Sequence, residues 1–579
     1  MPVGPVVVEP VSTGCVPWPE DEEREYRDRG WWAGVPIGSL PAQWARNAPP
    51  HPALIDGERS LSYAELAQQV EALAGGLAQL GLRGGDFGDR VLVHLPNGLE
   101  IVTMVLACTR LGVVPVLSLP SHGESELADL ATRSQARALV VPRRHRGRDL
   151  AEMGARLVGD VPSLRHLLVA APEPISEVPD YAVDLSQLAS TSSEITGLAH
   201  PAPSAVALLL LSGGTTGTPK LIPRTHDDYV YNLRASGEAC AWDSSTVFLA
   251  SIPVAHNFGL GCPGVLGVLE AGGTAVLNPS PEPEAAFASM NKHGVTHAAA
   301  VPAVAQRWLD YAVSTGTDVP SLRVLQVGGA RLAEEVARRL EPGLGVRLQQ
   351  ALGMAEGLIN YTRLTDPPEV AWQTQGRPIS PGDEVRVVDS EGADVPAGEV
   401  GELWTRGPYT IRGYWRAEEH NRRAFAPGGW YRSGDLVRVH PTGNLVVEGR
   451  LKDVINRAGE KISAEEIENI MYALPGVEQV AVVAAPDPEL GEKIAAVVVT
   501  ARDLPDLTIE AVAQHFEARK VARFKTPELL LVVPGLPLTK VGKIDKSEVR
   551  RMVAGQSPIG PDHSRTSRQG GDPAPLTDR

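Results

Sequence analysis

The chain has 579 residues, 43% of them hydrophobic and 21% charged. That balance excludes fibrous, collagen-like and wholly disordered polymers and predicts about three to five globular units at ~100–200 residues each. A net charge of −16 predicts neither a nucleic-acid partner nor an anionic membrane surface. The four cysteines, Cys15, Cys108, Cys240 and Cys262, form no CxxC pair, which argues against a zinc knuckle or disulfide framework and suits a reducing cytoplasm.

Met1–Pro10 lacks the basic start and apolar run of a signal peptide, so the expected location is cytoplasmic. Ser62-Tyr63-Ala64-Glu65 is a capping-box pattern, and Leu66, Val70, Leu73 and Leu77 then recur at helical spacing up to Gly81. Arg90–Leu95, Ala138–Val141 and Ala205–Leu211 are short apolar runs alternating with helical patterns, the mark of parallel strands in an α/β fold. Ile101–Pro120 is interrupted by Arg110 and Pro115 and reads as a buried helix followed by a strand, not as a membrane span. Ala171–Pro203 shifts to Pro, Ser, Glu and Asp and reads as a surface connection. A boundary is expected at Gly449–Asp453, where residues 1–449 end, 450–453 form a hinge and 454–552 make a small α+β unit. Within that unit Ser463 caps a helix bearing Ile467, Ile470, Met471 and Leu474. Residues 553–579, rich in Gly, Pro and Ser, are expected to be a disordered tail.

The segment Ser212-Gly213-Gly214-Thr215-Thr216-Gly217-Thr218-Pro219-Lys220 follows a strand and combines glycines, hydroxyls and one lysine. Glycines let backbone N–H groups approach an anion, hydroxyls donate to its oxygens and lysine adds charge, so the composition suits a polyphosphate. It is not a Walker loop, because Pro219 stands at the second glycine and Leu221 follows the lysine. Taken alone it also reads as a plain Gly/Thr surface loop.

Further motifs follow: Gly353-Met354-Ala355-Glu356, Tyr431-Arg432-Ser433-Gly434-Asp435, Gly449-Arg450-Leu451-Lys452-Asp453 and Pro537-Leu538-Thr539-Lys540-Val541-Gly542-Lys543. In this order they resemble the adenylate-forming superfamily of acyl-CoA synthetases, peptide-synthetase adenylation domains and luciferases, over roughly residues 30 to 552. Ala255-His256-Asn257-Phe258, Leu348-Gln349-Gln350 and Gly407–Tyr414 narrow the resemblance to stand-alone aryl acid–AMP ligases of the 2,3-dihydroxybenzoate and salicylate type. The resemblance implies a large N-terminal AMP-binding domain of α/β subdomains and a small mobile C-terminal α+β domain, with ATP and Mg²⁺ as cofactors.

Chemistry gives each motif a task, since an acid attacking the α-phosphate of ATP needs neutralised phosphates, a magnesium ion, a grip on the nucleoside and a donor at the developing charge. Glu356 is a hard oxygen ligand suited to Mg²⁺. By resemblance, Ser212, Gly213, Gly214, Thr215, Thr216, Gly217 and Lys220 hold phosphate, Gly329 and Ala330 lie against adenine, Asp435 accepts from the ribose hydroxyls and Arg450 assists it. Lys543 and His256 are the implied catalytic groups, with Lys543 bridging carboxylate and α-phosphate. The resemblance also implies that Lys452 is the hinge about which the small domain rotates for thioester formation and that Gly459 flanks the pantetheine tunnel. Each position also has a plainer reading as a turn residue or a solvated side chain.

The resemblance lines the ring pocket with Asn257, Phe258, Cys262, Ala299, Ala351 and Ile359, and places the Asn257 amide beside an ortho substituent. An ortho-hydroxy or ortho-amino aromatic acid is therefore expected. A thiol is a weak donor, so Cys262 favours salicylate-like acids over 2,3-dihydroxybenzoate. Ala351 leaves room for a 3-hydroxypicolinate or quinaldate relative unless a bulkier neighbour such as Ile359 fills it. No phosphopantetheine attachment sequence is evident, so the acceptor is expected to be another protein or CoA, and the resemblance to starter enzymes of siderophore and nonribosomal peptide biosynthesis implies an aryl carrier protein ahead of CoA. Rival readings are an aryl-CoA ligase, a luciferase-type oxygenase and a binding protein with a degenerate site.

Overall fold

The computed structural model describes residues 9–85, 87–171, 182–190, 199–212, 219–458, 460–501, 507–539 and 542–556. Two large sheets share one interior. The first runs Arg377–Pro378, Gly357–Tyr361, Arg347–Met354, Val324–Gly328, His297–Ala300, Val247–Ala250, Thr274–Leu277, Pro52–Asp56 and Arg59–Ser62, parallel from Arg347–Met354 to Pro52–Asp56 and closed at both edges by antiparallel strands. The second runs Leu221–Thr225, Val206–Leu211, Val114–Leu117, Arg90–Val93, Ala138–Pro142, His166–Ala170 and Ala182–Asp184. Helix Leu99–Leu111 is apolar on nearly every side and buried throughout except at Glu100, because it belongs to the core that both sheets cover. Helix Tyr63–Gln79 packs beside it and starts at the capping box, with Ser62 and Glu65 exchanging bonds.

The stretch expected to be a surface connection, Ala171–Pro203, needs correction. Ala182–Asp184 adds an edge strand parallel to His166–Ala170, and Leu185–Ser190 is a helix whose Leu188 is buried. Three-residue strands carry too little periodicity to be read from sequence. Residues 172–181 and 191–198 lie outside the described residues.

A third, antiparallel sheet holds Glu384–Val388, Gly401–Arg406, Phe425–Ala426, Trp430–Val439 and Leu445–Arg450. From its last strand the chain passes through the short turn Leu451–Asp453 into the first strand of a separate α+β unit. There the long hairpin Val477–Asp487/Gly491–Thr500 pairs with Ile455–Arg457 and Leu529–Val532. Alternate residues of that hairpin feed two cores: Ile494, Ala496 and Val498 pack with helices Ala464–Tyr472 and Ile509–Ala518, while Ala495 and Val497 pack with Val549 and Val553 of helix Lys546–Gln556. The disordered tail was expected from residue 553, but that helix carries four residues further, with Val553 buried. Residues 557–579 lie outside the described residues. Among the described residues no helix is long and apolar enough to cross a membrane.

Candidate active site

A cleft with two lobes of about 940 Å³ and 720 Å³ opens where the first sheet, the third sheet and the α+β unit meet. Ser212, His256, Asn257, Gly329, Asp435, Arg450 and Lys543 border both lobes. Lys220, Glu356, Phe258, Cys262 and Ile359 border only the smaller lobe, Ala330 and Lys452 only the larger, and Ala351 borders both.

Local structure explains the convergence. Strands Val206–Leu211 and Leu221–Thr225 form a hairpin, and Ser212 N–H to Lys220 O and Lys220 N–H to Ser212 Oγ, both 2.9 Å, close the base of the connecting loop. This is strand–loop–strand, unlike a Walker loop, whose lysine opens a helix. Gly213, Gly214, Thr215, Thr216 and Gly217 lie outside the described residues, as does Gly459. Strand Trp430–Val439 pairs regularly with Gly401–Arg406 until Ser433-Gly434-Asp435, three residues that stand opposite Leu403 alone. Gly434 takes φ +71°, and the bulge presents Asp435 to the cleft. Asp435 pairs with Arg450 at 2.8 Å, and burial raises its pKa while that guanidinium opposes the rise.

Lys543 sits in a tight turn in which Thr539 N–H donates to Lys543 O and Gly542 N–H to Thr539 O. Gly542 takes φ +80°, as such turns require. The side chain reaches across to Gly329, where an added Cβ would lie in tight contact 3.1 Å from Lys543 Cε and where the φ of +85° favours glycine. Burial, then the Arg450 guanidinium, lowers the Lys543 ammonium from its usual range to about 8, against the pull of Asp435 and Glu356. His256 caps the short helix Asn257–Gly261 by accepting the Phe258 N–H at Nδ1. Burial and the Lys543 charge lower its pKa to about 3, so the ring is neutral and its proton resides on Nε2.

Glu356 follows the strand Arg347–Met354 in a turn that leads to Gly357–Tyr361. Its Oε1 accepts from Tyr414 Oη at 2.7 Å, and that hydroxyl also meets Tyr431 Oη at 3.0 Å. Burial raises the Glu356 pKa, and the Tyr414 bond opposes it. Both tyrosines stand in quoted motifs yet carried no assigned role. The available sequence signal was their amphipathic chemistry: a buried phenol nearly always needs a polar partner.

Around the apolar end of the smaller lobe, Tyr229 Oη donates to Asn257 Oδ1 at 2.8 Å and Asn257 Nδ2 donates to Cys262 Sγ at 3.0 Å. Burial pushes the Cys262 thiol up to about 12. Tyr229 escaped the sequence reading, as did the buried Arg224–Asp228 pair whose guanidinium donates to Ala355 O, next to Glu356. Ala299 requires correction: it belongs to the same core cluster as Phe258, Cys262 and Ile359, but it does not line the cleft. It sits buried in the strand His297–Ala300, accepting at its carbonyl from Ser251 Oγ. Ala351 pairs across the strands with Tyr361, whose ring lies on the same face and whose hydroxyl donates to Cys262 O. Tyr361, not only Ile359, thus occupies space beside the small side chain.

The described geometry has close counterparts. The AMP-binding enzyme family model matches residues 41–415, and the model of the AMP-binding enzyme C-terminal domain matches residues 466–543. A Streptomyces protein named salicylyl-CoA synthase / salicylate adenylyltransferase is 52% identical over 552 residues, covering 94% of this chain and 98% of its own. A Mycobacterium tuberculosis protein named salicyl-AMP ligase / salicyl-S-ArCP synthetase is 45% identical over 549 residues, covering 93% and 94%. The apo structure of Mycobacterium smegmatis MbtA superposes with a TM-score of 0.72 at 45% identity, covering 93% of this chain and 99% of that one. The chain belongs to the AMP-binding enzyme family, in its adenylate-forming branch of stand-alone aryl acid ligases.

Proposed function

We propose that the protein adenylates an ortho-hydroxy aromatic carboxylic acid with ATP, releasing pyrophosphate, and passes the aryl group to a phosphopantetheine thiol. The observation that carries this reading is the reach of Lys543 from the small unit to Gly329, into a cleft whose other end is the Asn257–Cys262 pocket. Its ammonium is assigned to neutralise the attacking carboxylate and the α-phosphate, two negative groups that repel each other as they meet. The neutral His256 ring directs an Nε2–H donor rather than a charge, so it orients an oxygen without competing with Lys543. Asp435 is assigned the ribose hydroxyls, with the Arg450 guanidinium opposing the rise in pKa that burial causes.

Mg²⁺ fits the residues present. Among the described residues no three acidic, histidine or cysteine side chains form a cage, and Glu356 is a single enclosed carboxylate with one oxygen held by Tyr414. That suits a cation that binds through one carboxylate plus phosphate oxygens and, when bound, offsets charge on the polyphosphate. Ser212 and Lys220, tied at the loop base, are assigned to the phosphate side together with residues 213–217. Ala330 is assigned to adenine, Lys452 to the hinge and Gly459 to the thiol passage.

Salicylate is the favoured substrate class. Asn257 keeps one Nδ2 hydrogen for the ortho group after its bond to Cys262, and Cys262 gives no strong donor for a second ring hydroxyl. Tyr361 beside Ala351 argues for one ring over a bicyclic acid. The relative named for an ArCP product supports a carrier-protein acceptor, and the relative named salicylyl-CoA synthase supports CoA as the alternative thiol. ATP–pyrophosphate exchange with benzoate, salicylate, 2,3-dihydroxybenzoate and 3-hydroxyquinaldate tests the reading. Salicylate is expected to lead, and benzoate matching every ortho-substituted acid refutes the assignment of Asn257.

A further inference from the structure

The segment Gly407–Tyr414 grips the hairpin that carries Glu356 and Ile359. Ile411 N–H donates to Glu356 O at 2.8 Å, and Thr410 packs so closely on Gly357 that an added Cβ there would lie 2.4 Å from Thr410 Oγ1. The contact at Ile359 is of another kind. Its carbonyl accepts from Ile379 N–H, but its own N–H donates to a side chain, Tyr409 Oη, at 3.2 Å. That phenol is fully buried and donates to Asp383 Oδ2 at 2.5 Å, and burial raises the Asp383 carboxyl to about 8 against the pull of this bond. Asp383 is held in turn by Ser380 N–H at 3.2 Å, and Tyr231 Oη bonds Ser380 Oγ at 2.7 Å. Gly407 is the only residue type that fits against this carboxylate, since a Cβ there would lie 2.6 Å from Asp383 Oδ1.

Neither Tyr409 nor Asp383 borders the cleft, whereas Ile359 does. A phenol has therefore taken the place of a strand partner at the residue that walls the ring pocket, and its position depends on a carboxylate one layer further out. We propose that Tyr409 and Asp383 are a specificity-determining positioning pair, which fixes the main chain at Ile359 and thereby the depth of the ring pocket. The proposal rests on the assignment of that pocket to the aromatic acid.

Tyr409→Phe removes the hydroxyl while keeping the ring, and leaves Ile359 N–H and Asp383 without their partner. In ATP–pyrophosphate exchange the KM for salicylate should rise about tenfold. The KM for ATP should stay within about twofold, and the kcat/KM ratio of 3-hydroxy-2-naphthoate to salicylate should increase as the wall loosens. Asp383→Asn retains an acceptor for the phenol and should keep salicylate KM near the parent value, whereas Asp383→Leu should reproduce the Tyr409→Phe pattern. If Tyr409→Phe does not fold, the contrast between the two Asp383 variants decides the matter. Equal rises in both KM values, an unchanged naphthoate-to-salicylate ratio, or identical behaviour of Asp383→Asn and Asp383→Leu overturns the proposal. A parent enzyme that exchanges with no aromatic acid instead overturns the functional reading on which it rests.

Discussion

Lys543 combines a positive charge with a site that disfavours it, and its pKa near 8 turns that conflict into a measurable pH limit. Because the folded-state value is depressed, the ammonium is present below about pH 8 and lost above it. The free-enzyme parameter kcat/KM for ATP should therefore fall as pH rises through about 8. Lys543→Ala should lower adenylation by roughly 10²–10³, the scale for removing one preorganised charge-stabilising donor, and the basic limb should vanish from the residual activity. Transfer from supplied aryl-AMP to the thiol should survive, and equal loss of both half-reactions rejects the role. Cys262 poses the complementary case of a neutral group. Its thiol is kept protonated by burial and accepts from Asn257. Cys262→Ser should raise kcat/KM for 2,3-dihydroxybenzoate relative to salicylate about tenfold, because a site able to hydrogen-bond a substrate hydroxyl discriminates more strongly than an apolar one. Competition between the two acids in pyrophosphate exchange reads the ratio directly.

At the scale of elements, the short turn Leu451–Asp453 joins two sheets with separate cores. Several contacts across it are polar, with Ser463 Oγ donating to Glu448 O and Glu465 lying against Gly449, whose φ of +143° disfavours a side chain, while Tyr472 packs on the core around Val336. Interfaces of this kind permit the rotation assigned to Lys452. Lys452→Pro fixes φ and restricts Leu451 before it, so thioester formation should drop more than pyrophosphate exchange. A loss confined to exchange moves the hinge elsewhere.

The large domain is tied together, on the scale of the whole fold, by a segment that precedes the family match. Residues 9–36 lie along Pro408–Arg416: Trp32 Nε1 donates to Pro408 O at 2.9 Å, Trp415 Nε1 to Val11 O at 2.8 Å, and Arg412 pairs with Glu22 at 3.0 Å. Gly14 allows the crossing, since a Cβ there would overlap the Trp415 indole. Trp32 is 3% exposed, and Trp32→Ala should destabilise the large domain by roughly 3–5 kcal/mol, the cost of truncating a buried aromatic. Its unfolding transition should shift down while that of the small domain, with its own cores, stays in place. A matching shift in both shows that the strap stabilises the assembly rather than the N-terminal domain.

What the sequence determined alone was local or written in short motifs. The capping box at Ser62, the helix Leu99–Leu111, the strands around Arg90 and Ala138, and the order of Glu356, Asp435, Arg450 and Lys543 all depend on neighbours within a few residues, so spacing and residue type suffice to read them. Tertiary structure alone decided what depends on partners distant in the chain. Asn257 acquires Tyr229, Glu356 acquires Tyr414, Ala351 acquires Tyr361, and Ile359 acquires Tyr409 and through it Asp383. Ala299 was assigned to the pocket wall, yet it is buried in the core cluster that holds Phe258, Cys262 and Ile359 and borders neither lobe, because the side chains packed over it come from elements distant in the chain. Motif spacing carries the chemistry of adenylation, whereas the ring pocket is bounded by side chains brought together from separate strands and loops, and no local signal encodes that meeting.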